Sequence, residues 1–388
     1  MKRAVALIDG EHYPPVVRAA LAALPYEFVG AIMVGGTEKL REDGEYGDYG
    51  DYGVPLVEGF GGAEVVVDLS DEPVLGPAQR FRWASRALAA GLPYVGADFR
   101  FDPPRFEPFG LPSIAVIGTG KRVGKTAVTG HLARLLARDR AVVVVAMGRG
   151  GPAEPEVVEG PPGLDDLVRL ARAGRHAASD HLEIAALYGV TTIGCRRAGG
   201  GLAGAVFDSN VEQGAHLAAA RHPDVVVFDG SGASIPPVAV DRRVLVVGPD
   251  QDVDAYLNTY RRLISDLVVA VNCRVEGAIE ATLRLRAIAP LEGRVAVFTA
   301  GDTHVAHLEA DIVHVSANLA DRDTLRRDLN GIEADTYLVE LKAAAIDLVA
   351  EHALARGRRV VLAANDVVAV GGDLDAALLA LLPERVPA

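Results

Sequence analysis

The stretch that decides the fold is Ile117-Gly118-Thr119-Gly120-Lys121-Arg122-Val123-Gly124-Lys125-Thr126. It follows a short β-branched run at residues 114–117, which predicts a buried parallel strand. After the stretch, apolar residues recur at helical spacing, so it ends at a helix N-terminus, where free N–H groups and the positive dipole end attract an anion. The sequence therefore predicts a phosphate-binding loop.

Each residue type in this loop suits a bound nucleotide. Glycines let backbone N–H groups approach a phosphate, Lys125 can neutralise the β/γ oxygens, and the Thr126 hydroxyl can ligate Mg²⁺. We therefore expect ATP as co-substrate and Mg²⁺ as cofactor. The residues predicted to bind ATP are Gly118, Thr119, Gly120, Lys121, Arg122, Val123, Gly124, Lys125 and Thr126.

The glycine spacing of the loop departs from the usual P-loop pattern. Five residues separate Gly118 from Gly124, one more than in Gly-x-x-x-x-Gly-Lys-Thr. A loop of the form Gly-Thr-x-x-x-Val-Gly-Lys-Thr resembles those of dethiobiotin synthetase and the cobyrinate amidase group. That resemblance implies an enzyme that uses ATP to activate an acid group on a small molecule.

Composition narrows the classes of partner. The chain of 388 residues has a formal net charge of −13, which argues against nucleic acid and anionic membranes as partners, because both need a basic face. Any anion site must therefore be local. The chain has only five lysines and thirty-four arginines, and two of the five lysines, Lys121 and Lys125, lie in the loop. Cys195 and Cys273 are too few for a disulfide framework, and no signal-peptide pattern is present, so we expect a cytoplasmic protein.

Alternating strand-like and helical patterns predict an α/β protein in three parts. Residues 1–108 are predicted to form a Rossmann-like domain with a parallel sheet, followed by a proline-rich linker. Residues 109–275 are predicted to form a doubly wound P-loop NTPase domain similar to dethiobiotin synthetase. Residues 276–388 are predicted to extend that sheet as a C-terminal α/β part. The strands expected there are at 295–298, 312–315 and 360–362.

A carboxylate closes the apolar run at residues 224–229. An aspartate at the end of a buried strand and before glycines is typical of a Walker B element, which can hold Mg²⁺ beside the P-loop threonine. An aspartate also often closes a strand only to begin a turn. Together with the loop, the pattern favours a metal site formed by Thr126 and Asp229.

Glycine-flanked arginines are candidate anion-binding groups. Arg149 lies between glycines after a predicted strand, and the adjacent Arg196 and Arg197 precede three glycines. Such arginines can bind phosphate or carboxylate through the guanidinium fork and nearby N–H groups, although an exposed loop arginine needs no ligand. A double arginine in a chain of net charge −13 favours the ligand-binding interpretation.

Two further polar groups are candidates for substrate contact. His176 and Asp180 lie at a predicted helix start, where a histidine either contacts phosphate or is structural. Asp9, Glu11 and His12 end the first predicted strand, where α/β domains place ligand contacts. The predicted substrate-binding residues are Asp9, Glu11, His12, Arg149, His176, Asp180, Arg196 and Arg197.

The order of these motifs resembles the cyclic 2,3-diphosphoglycerate synthetase family. The matching segments are residues 7–17, 118–126, 147–152, 176–180, 194–201, 228–238 and 339–345. Two features depart from the family pattern: Asp229 stands where a glutamate is expected, and the tyrosine-rich segment 41–53, which we expect to be a solvated loop, is an insertion.

The resemblance implies that the chain closes an intramolecular phosphoanhydride in 2,3-bisphosphoglycerate, while ATP is converted to ADP and phosphate. It also implies catalytic roles for Lys121, Lys125 and Arg149, because phosphoryl transfer depends mainly on positioning and electrostatics. A homodimer is expected from the general frequency of dimers among soluble proteins.

Two alternatives stay open at this point. Another ATP-dependent ligase of the dethiobiotin or cobyrinate type, acting on a small polyanionic acid, would share the loop and Asp229 but would not need paired arginines. A partition-type ATPase switch would need its signature lysine five positions before the loop lysine, where this chain has Gly120. Lys121 lies four positions before Lys125, which disfavours the switch.

Overall fold

The computed structural model describes residues 1–36, 51–175, 177–342 and 346–382. The chain divides into an N-terminal unit, Met1–Pro104 with Asp252–Ile264, and a P-loop unit, Arg105–Gln251 with Ser265–Ala388. Within the described ranges, no helix combines the length and the apolar character needed to cross a membrane.

Strands and helices alternate along most of the chain. In chain order the strands are β1 (Lys2–Ile8), β2 (Tyr26–Met33), β3 (Val65–Asp68), β4 (Tyr94–Val95), β5 (Arg100–Phe101), β6 (Ser113–Gly118), β7 (Val142–Gly148), β8 (Glu156–Val158), β9 (Thr191–Ala198), β10 (Asp208–Ser209), β11 (Val225–Asp229), β12 (Arg242–Val247), β13 (Leu267–Val271), β14 (Ile279–Ala287), β15 (Arg294–Phe298), β16 (Asp311–Ser316), β17 (Thr336–Glu340) and β18 (Arg359–Ala369). The helices are α1 (Pro14–Ala23), α2 (Pro77–Ala89), α3 (Lys125–Leu136), α4 (Leu164–Arg172), α5 (Asp180–Tyr188), α6 (Val211–Ala219), α7 (Asn258–Leu263), α8 (Arg322–Leu329), α9 (Ile346–Leu354) and α10 (Leu374–Leu379), with a short 3-10 helix at Ala306–Leu308.

The N-terminal unit contains a sheet in the order β2-β1-β3-β4-β5, in which β5 pairs antiparallel with β4 and the other pairings are parallel. The last five residues of β1 are buried, as expected for a central strand covered on both faces. The segment Asp252–Ile264 belongs to this unit, where the Tyr256 and Phe81 rings meet edge-on with centroids 5.7 Å apart. Asp9 follows β1 directly and therefore lies at the carboxyl edge of the sheet.

The P-loop unit is built on a long sheet with β6 and β11 near its centre. The strand order is β10-β9-β7-β11-β6-β12-β13-β14-β18-β17-β15-β16, with β8 pairing on β9. From β9 to β14 the pairings are parallel. Both β6 and β11 are wholly buried. Because neighbouring parallel strands end at the same edge of a sheet, Gly118 and Asp229 lie at one edge.

The C-terminal strands continue the same sheet through an antiparallel pair. β14 pairs antiparallel with β18, and β17, β15 and β16 follow in parallel. Phe298 and Tyr337, from β15 and β17, share an apolar cluster with Leu182 and Leu187 of α5. The predicted fold class is confirmed: an N-terminal parallel-sheet domain, a doubly wound P-loop domain and a C-terminal α/β extension.

Candidate active site

The loop between β6 and α3 contains two left-handed residues, Arg122 with φ 59° and Gly124 with φ 87°. A Cβ on Gly124 would lie 2.9 Å from Val271 Cγ1, so both the backbone conformation and the space require glycine there. A non-glycine residue in the left-handed region is strained, and such strain concentrates at ligand-binding sites. The turn brings Lys125 to the first residue of α3.

Lys125 and Asp229 form a buried ion pair. Lys125 Nζ lies 2.6 Å from Asp229 Oδ1, and the Thr129 hydroxyl donates to the same oxygen at 2.6 Å. All three residues are buried. Thr129 is not among the residues predicted from the sequence, although its position one helical turn after the loop lysine is a signal that could have identified it.

The other carboxylate oxygen of Asp229 has no hydrogen-bond partner among the residues that the structure describes. This Oδ2 atom is buried. Burial raises the pKa of Asp229, and the ammonium of Lys125 opposes that rise. Since a buried acceptor without a donor is costly, Oδ2 offers a site for a further donor or a cation.

A cavity of about 410 Å³ opens beside this ion pair. Its lining residues from the loop and α3 are Gly120, Lys121, Arg122, Val123, Gly124, Lys125, Thr126 and Ala127. The other lining residues are Gly148, Arg149, Gly150, Gly151, Ala178, Ser179, Asp180, Glu183, Ser231, Gly232 and Lys342. The structure thus brings most of the predicted ATP-binding loop together with Arg149 and Asp180, whereas Gly118 and Thr119 are buried at the start of the loop and do not line the cavity.

Arg149 and Lys121 converge beside Gly232. A Cβ on Gly232 would lie 3.0 Å from Arg149 Nη2, so the missing side chain leaves room for the Arg149 guanidinium, and it would make only an ordinary contact of 3.8 Å with Lys121 Cγ. Gly232 also has a left-handed φ of 59°. Both cationic residues are exposed. The loop after β11 therefore leaves room for the Arg149 guanidinium beside the cavity that Lys121 also lines.

The adjacent Arg196 and Arg197 lie on β9 and point to opposite faces of the sheet. Arg197 Nη2 donates to the Ser231 carbonyl at 3.0 Å, and its Nε is buried without a partner in the described part of the chain. Burial and the neighbouring Arg149 cation lower the pKa of Arg197. Arg196 instead forms an ion pair with Asp208. The structure brings Arg197 near Arg149, and it does not bring Arg196 there.

Two charged residues that are not among the predicted site residues, Glu183 and Lys342, also line the cavity. Burial raises the pKa of Glu183 to about 8, although the Lys342 ammonium opposes the rise. Burial lowers the pKa of Lys342, but the carboxylates of Glu183, Glu340 and Asp180 outweigh burial and raise it above the usual lysine value. Lysine scarcity is a signal that could have identified Lys342, because three of the five lysines line this cavity. Glu183 carries no comparable signal.

The residues after β1 form a hydrogen-bond network within the N-terminal unit. Asp9 is fully buried. Its Oδ1 accepts from the N–H groups of Glu11 and His12 at 3.0 and 3.2 Å and lies 2.8 Å from His12 Nδ1, while its Oδ2 accepts from the Asp71 N–H at 2.8 Å. Burial raises the pKa of Asp9, but the hydrogen bonds from Asp71 and His12 prevail and lower it. Oδ1 of Asp9 therefore stabilises its own loop, and Oδ2 ties that loop to the segment after β3.

Several predicted features lie outside the described residues, namely His176, residues 41–50 of the tyrosine-rich segment and residues 343–345. The described end of the tyrosine-rich segment departs from the expected solvated loop. Tyr52 is buried and packs with Val17 and Leu21 of α1, and Asp51 pairs with Arg18 at 2.8 Å. The expectation is wrong for Tyr52 because this side chain contributes to the core of the N-terminal unit.

A glycine-rich loop between a buried parallel strand and a helix, with its lysine paired to a strand-end carboxylate, defines a P-loop nucleotide-binding α/β enzyme. Family comparisons agree with this class and narrow it. The chain matches the P-loop domain of cyclic 2,3-diphosphoglycerate synthetase over residues 113–289, the N-terminal domain over 3–102 and the C-terminal domain over 294–366.

Relatives named cyclic 2,3-diphosphoglycerate synthetase match along nearly the whole chain. The Rubrobacter xylanophilus protein is 48% identical, with 98% of this chain and 97% of the relative covered. The Thermococcus gammatolerans protein is 40% identical over 95% and 94% of the two chains, and the Methanothermus fervidus protein is 36% identical over 97% and 96%. The chain belongs to the cyclic 2,3-diphosphoglycerate synthetase family, which confirms the resemblance found in the sequence.

Proposed function

We propose that this chain closes an intramolecular phosphoanhydride in 2,3-bisphosphoglycerate, with ATP converted to ADP and phosphate. The observation that carries the proposal is a single cavity in which the loop cations Lys121 and Lys125 meet Arg149 and Lys342. The loop alone suffices for ATP, whereas a substrate with two phosphates and a carboxylate needs further cations. Their concentration at one place in a chain of net charge −13 supports a polyanionic substrate.

The residues of the site fit Mg²⁺ that arrives with the nucleotide. No group of three or more His, Cys, Asp or Glu side chains in the described ranges could hold a metal by itself. Mg²⁺ in nucleotide sites takes few protein ligands and shares phosphate oxygens. Thr126, which lines the cavity, and Asp229, whose Oδ2 is buried without a partner, would hold it. When bound, Mg²⁺ neutralises charge on the transferred phosphoryl group.

The chemistry would proceed in two steps. An oxygen of one substrate phosphate attacks the γ-phosphorus of ATP, and ADP leaves. An oxygen of the second substrate phosphate then attacks the phosphorus of the activated group, and orthophosphate leaves as the ring closes. Lys121 and Lys125 would stabilise the charge that develops on the transferred group, and Arg149 would hold the substrate phosphate in line.

The remaining assignments to substrate differ in their support. Arg197 is supported by its proximity to Arg149 and its unpartnered buried Nε, and Asp180 by its place in the cavity lining. Glu11, His12 and His176 stay predictions. Asp9 and Arg196 also stay predictions, but the hydrogen bonds of Asp9 within the N-terminal unit and the ion pair of Arg196 with Asp208 disfavour substrate contact by these two residues.

Phosphorus NMR on the purified protein tests the proposal. ATP, Mg²⁺ and 2,3-bisphosphoglycerate should give a cyclic anhydride, with ADP and orthophosphate formed in equal amounts. Lys125→Met should give no product, while Lys2→Met, a change of an exposed lysine on β1, should match the unmodified chain. Ring closure on a different acid would favour a dethiobiotin-type ligase, and ATP hydrolysis without any acid would favour a switch.

The division at residues 108 and 275, the homodimer and the cytoplasmic location also stay predictions. Light scattering after gel filtration measures the oligomeric state. A dimer would have about twice the 40.7 kDa mass of one chain.

A further inference from the structure

Lys342 is a cation of the cavity that comes neither from the P-loop nor from the glycine-flanked arginines. We propose that Lys342 is a catalytic residue that contacts the phosphate of the non-nucleotide substrate, so that the C-terminal extension completes the active site. This inference rests on the proposed function for the identity of that phosphate. The cavity that Lys342 lines also contains Lys125 and Arg149.

The backbone before Lys342 is fixed against the helix that lines the cavity. Leu341 is fully buried in an apolar cluster with Leu182 and Leu187 of α5. Glu340, the last residue of β17, accepts from the Ala300 N–H at 2.8 Å and from Asn365 Nδ2 at 2.6 Å. A side chain that follows such an anchor is held in place before a ligand arrives, which is what a catalytic group requires.

The charges around Lys342 keep it a cation at the cavity. Burial lowers the pKa of Lys342, but Glu340 and Asp180, which lines the same cavity, raise it and favour the charged ammonium. Glu183 does so as well, to the extent that its own pKa of about 8 leaves it ionised. A compact ammonium on a flexible stem can reach between phosphate oxygens, whereas this chain uses arginine for most of its other cations. Lys342 is therefore one of three lysines, with Lys121 and Lys125, that line this cavity in a chain of only five lysines.

A purely structural role for Lys342 would be to neutralise Glu183 and Glu340. The two roles predict different measurements. A structural lysine would change the stability of the P-loop unit and leave the affinity for anions unchanged, whereas a catalytic lysine would change the kinetics toward the phosphorylated acid while nucleotide binding persists.

Steady-state kinetics of Lys342→Met, with Lys2→Met as the matched control, test the proposal. We expect kcat/KM for 2,3-bisphosphoglycerate to fall by about 100-fold, while ADP affinity, measured by titration calorimetry, stays within about twofold of the unmodified chain. Lys342→Arg, which keeps the charge, should recover part of the loss. A kcat/KM for the bisphosphate within about threefold of the unmodified chain would overturn the proposal.

A second titration separates this inference from the proposed function. Inorganic pyrophosphate, added to the protein saturated with ADP and Mg²⁺, should bind about tenfold more weakly to Lys342→Met than to the unmodified chain. Equal binding would refute the role of Lys342, whether or not a cyclic product forms. If circular dichroism shows that Lys342→Met does not fold, Lys342→Gln, which removes the charge but keeps a polar side chain, takes its place with the same expectations.

Discussion

Asp229 and Asp9 occupy equivalent places in the two units and differ in how their oxygens are used. Each is fully buried and lies at the carboxyl end of a central parallel strand. Both oxygens of Asp9 accept hydrogen bonds from its own loop and from Asp71. Asp229 uses Oδ1 for Lys125 and Thr129, and its Oδ2 is without a partner among the described residues.

The directions of the two pKa shifts follow from this difference. For both carboxylates burial raises the pKa, but the hydrogen bonds around Asp9 outweigh burial, whereas those around Asp229 do not. A buried carboxylate whose acceptors are all satisfied stabilises the fold. A buried carboxylate with an unsatisfied oxygen beside a cationic cavity is available for the chemistry.

Asp229→Asn should have the largest effect on turnover. The amide oxygen can still accept from Lys125 and Thr129, but the negative charge that would hold Mg²⁺ is lost. We expect kcat, measured as ADP release well below the melting temperature, to fall by about 10²- to 10³-fold, and the melting temperature to fall as well, because the buried Lys125 ammonium loses its counter-charge. A kcat within tenfold of the unmodified chain would mean that Asp229 is as structural as Asp9.

Asp9→Asn, the matching change in the N-terminal unit, should affect stability and leave turnover nearly intact. The amide NH₂ would face at least one N–H donor that now points at a carboxylate, so we expect the free energy of unfolding to fall by about 2 kcal/mol. Urea denaturation measures this change, and kcat at a temperature well below the transition should stay within about threefold. Lost turnover with full stability would instead support substrate contact by Asp9.

The neighbouring arginines of β9 extend the same comparison to cations. Arg197 has a buried Nε without a partner in the described ranges and lies near Arg149, whereas Arg196 pairs with Asp208. Arg197→Ala should raise KM for 2,3-bisphosphoglycerate about tenfold, the value of one charge-assisted hydrogen bond. Arg196→Ala should change KM less than twofold. If the two changes had equal effects on KM, an unpartnered polar atom would not distinguish a substrate-binding arginine from a structural one in this protein.

The smallest effect concerns His181, whose buried Nε2 also lacks a partner in the part of the chain that the structure describes. Burial lowers the pKa of His181 from 6.5 to about 4, so unfolding takes up a proton at acidic pH. The contribution to stability is complete above pH 6.5 and is lost as the pH falls through 4. We expect a loss of about 1 kcal/mol between pH 7.5 and 5.5. The free energy of unfolding of His181→Gln, measured by urea denaturation, should depend less on pH than that of the unmodified chain. The same pH dependence in both proteins would contradict the attribution of this effect to His181.

The fold could be predicted where the signal is local. The apolar run, glycine loop and helix from β6 to α3 follow one another directly, so their order specifies a P-loop. β14 was not among the predicted strands, because its alternation includes the charged residues Glu280, Arg284 and Arg286 and its partner β18 lies far along the chain. The pairing of β14 with β18 depends on contacts between residues far apart in the chain, which the local sequence pattern does not reveal.

The sequence predicts which residues belong to the site better than it predicts the hydrogen-bond partners of those residues. The loop, Arg149 and Asp229 follow strand ends and are visible as motifs. Whether a carboxylate is satisfied depends on donors remote in sequence: Asp71 lies 62 residues from Asp9, and Thr129 lies 100 residues from Asp229. The separation of Arg196 from Arg197 likewise depends on how far β9 extends, because the pleat of a strand divides adjacent side chains between its faces.

The central claim is that one cavity joins ATP to a second polyanion. Titration of 2,3-bisphosphoglycerate into the protein saturated with Mg²⁺ and a non-hydrolysable ATP analogue tests it most directly. The bisphosphate should bind to this complex with one site per chain, and Arg149→Ala should weaken that binding about tenfold while the analogue remains bound. Mutually exclusive binding of the analogue and the bisphosphate would contradict the claim.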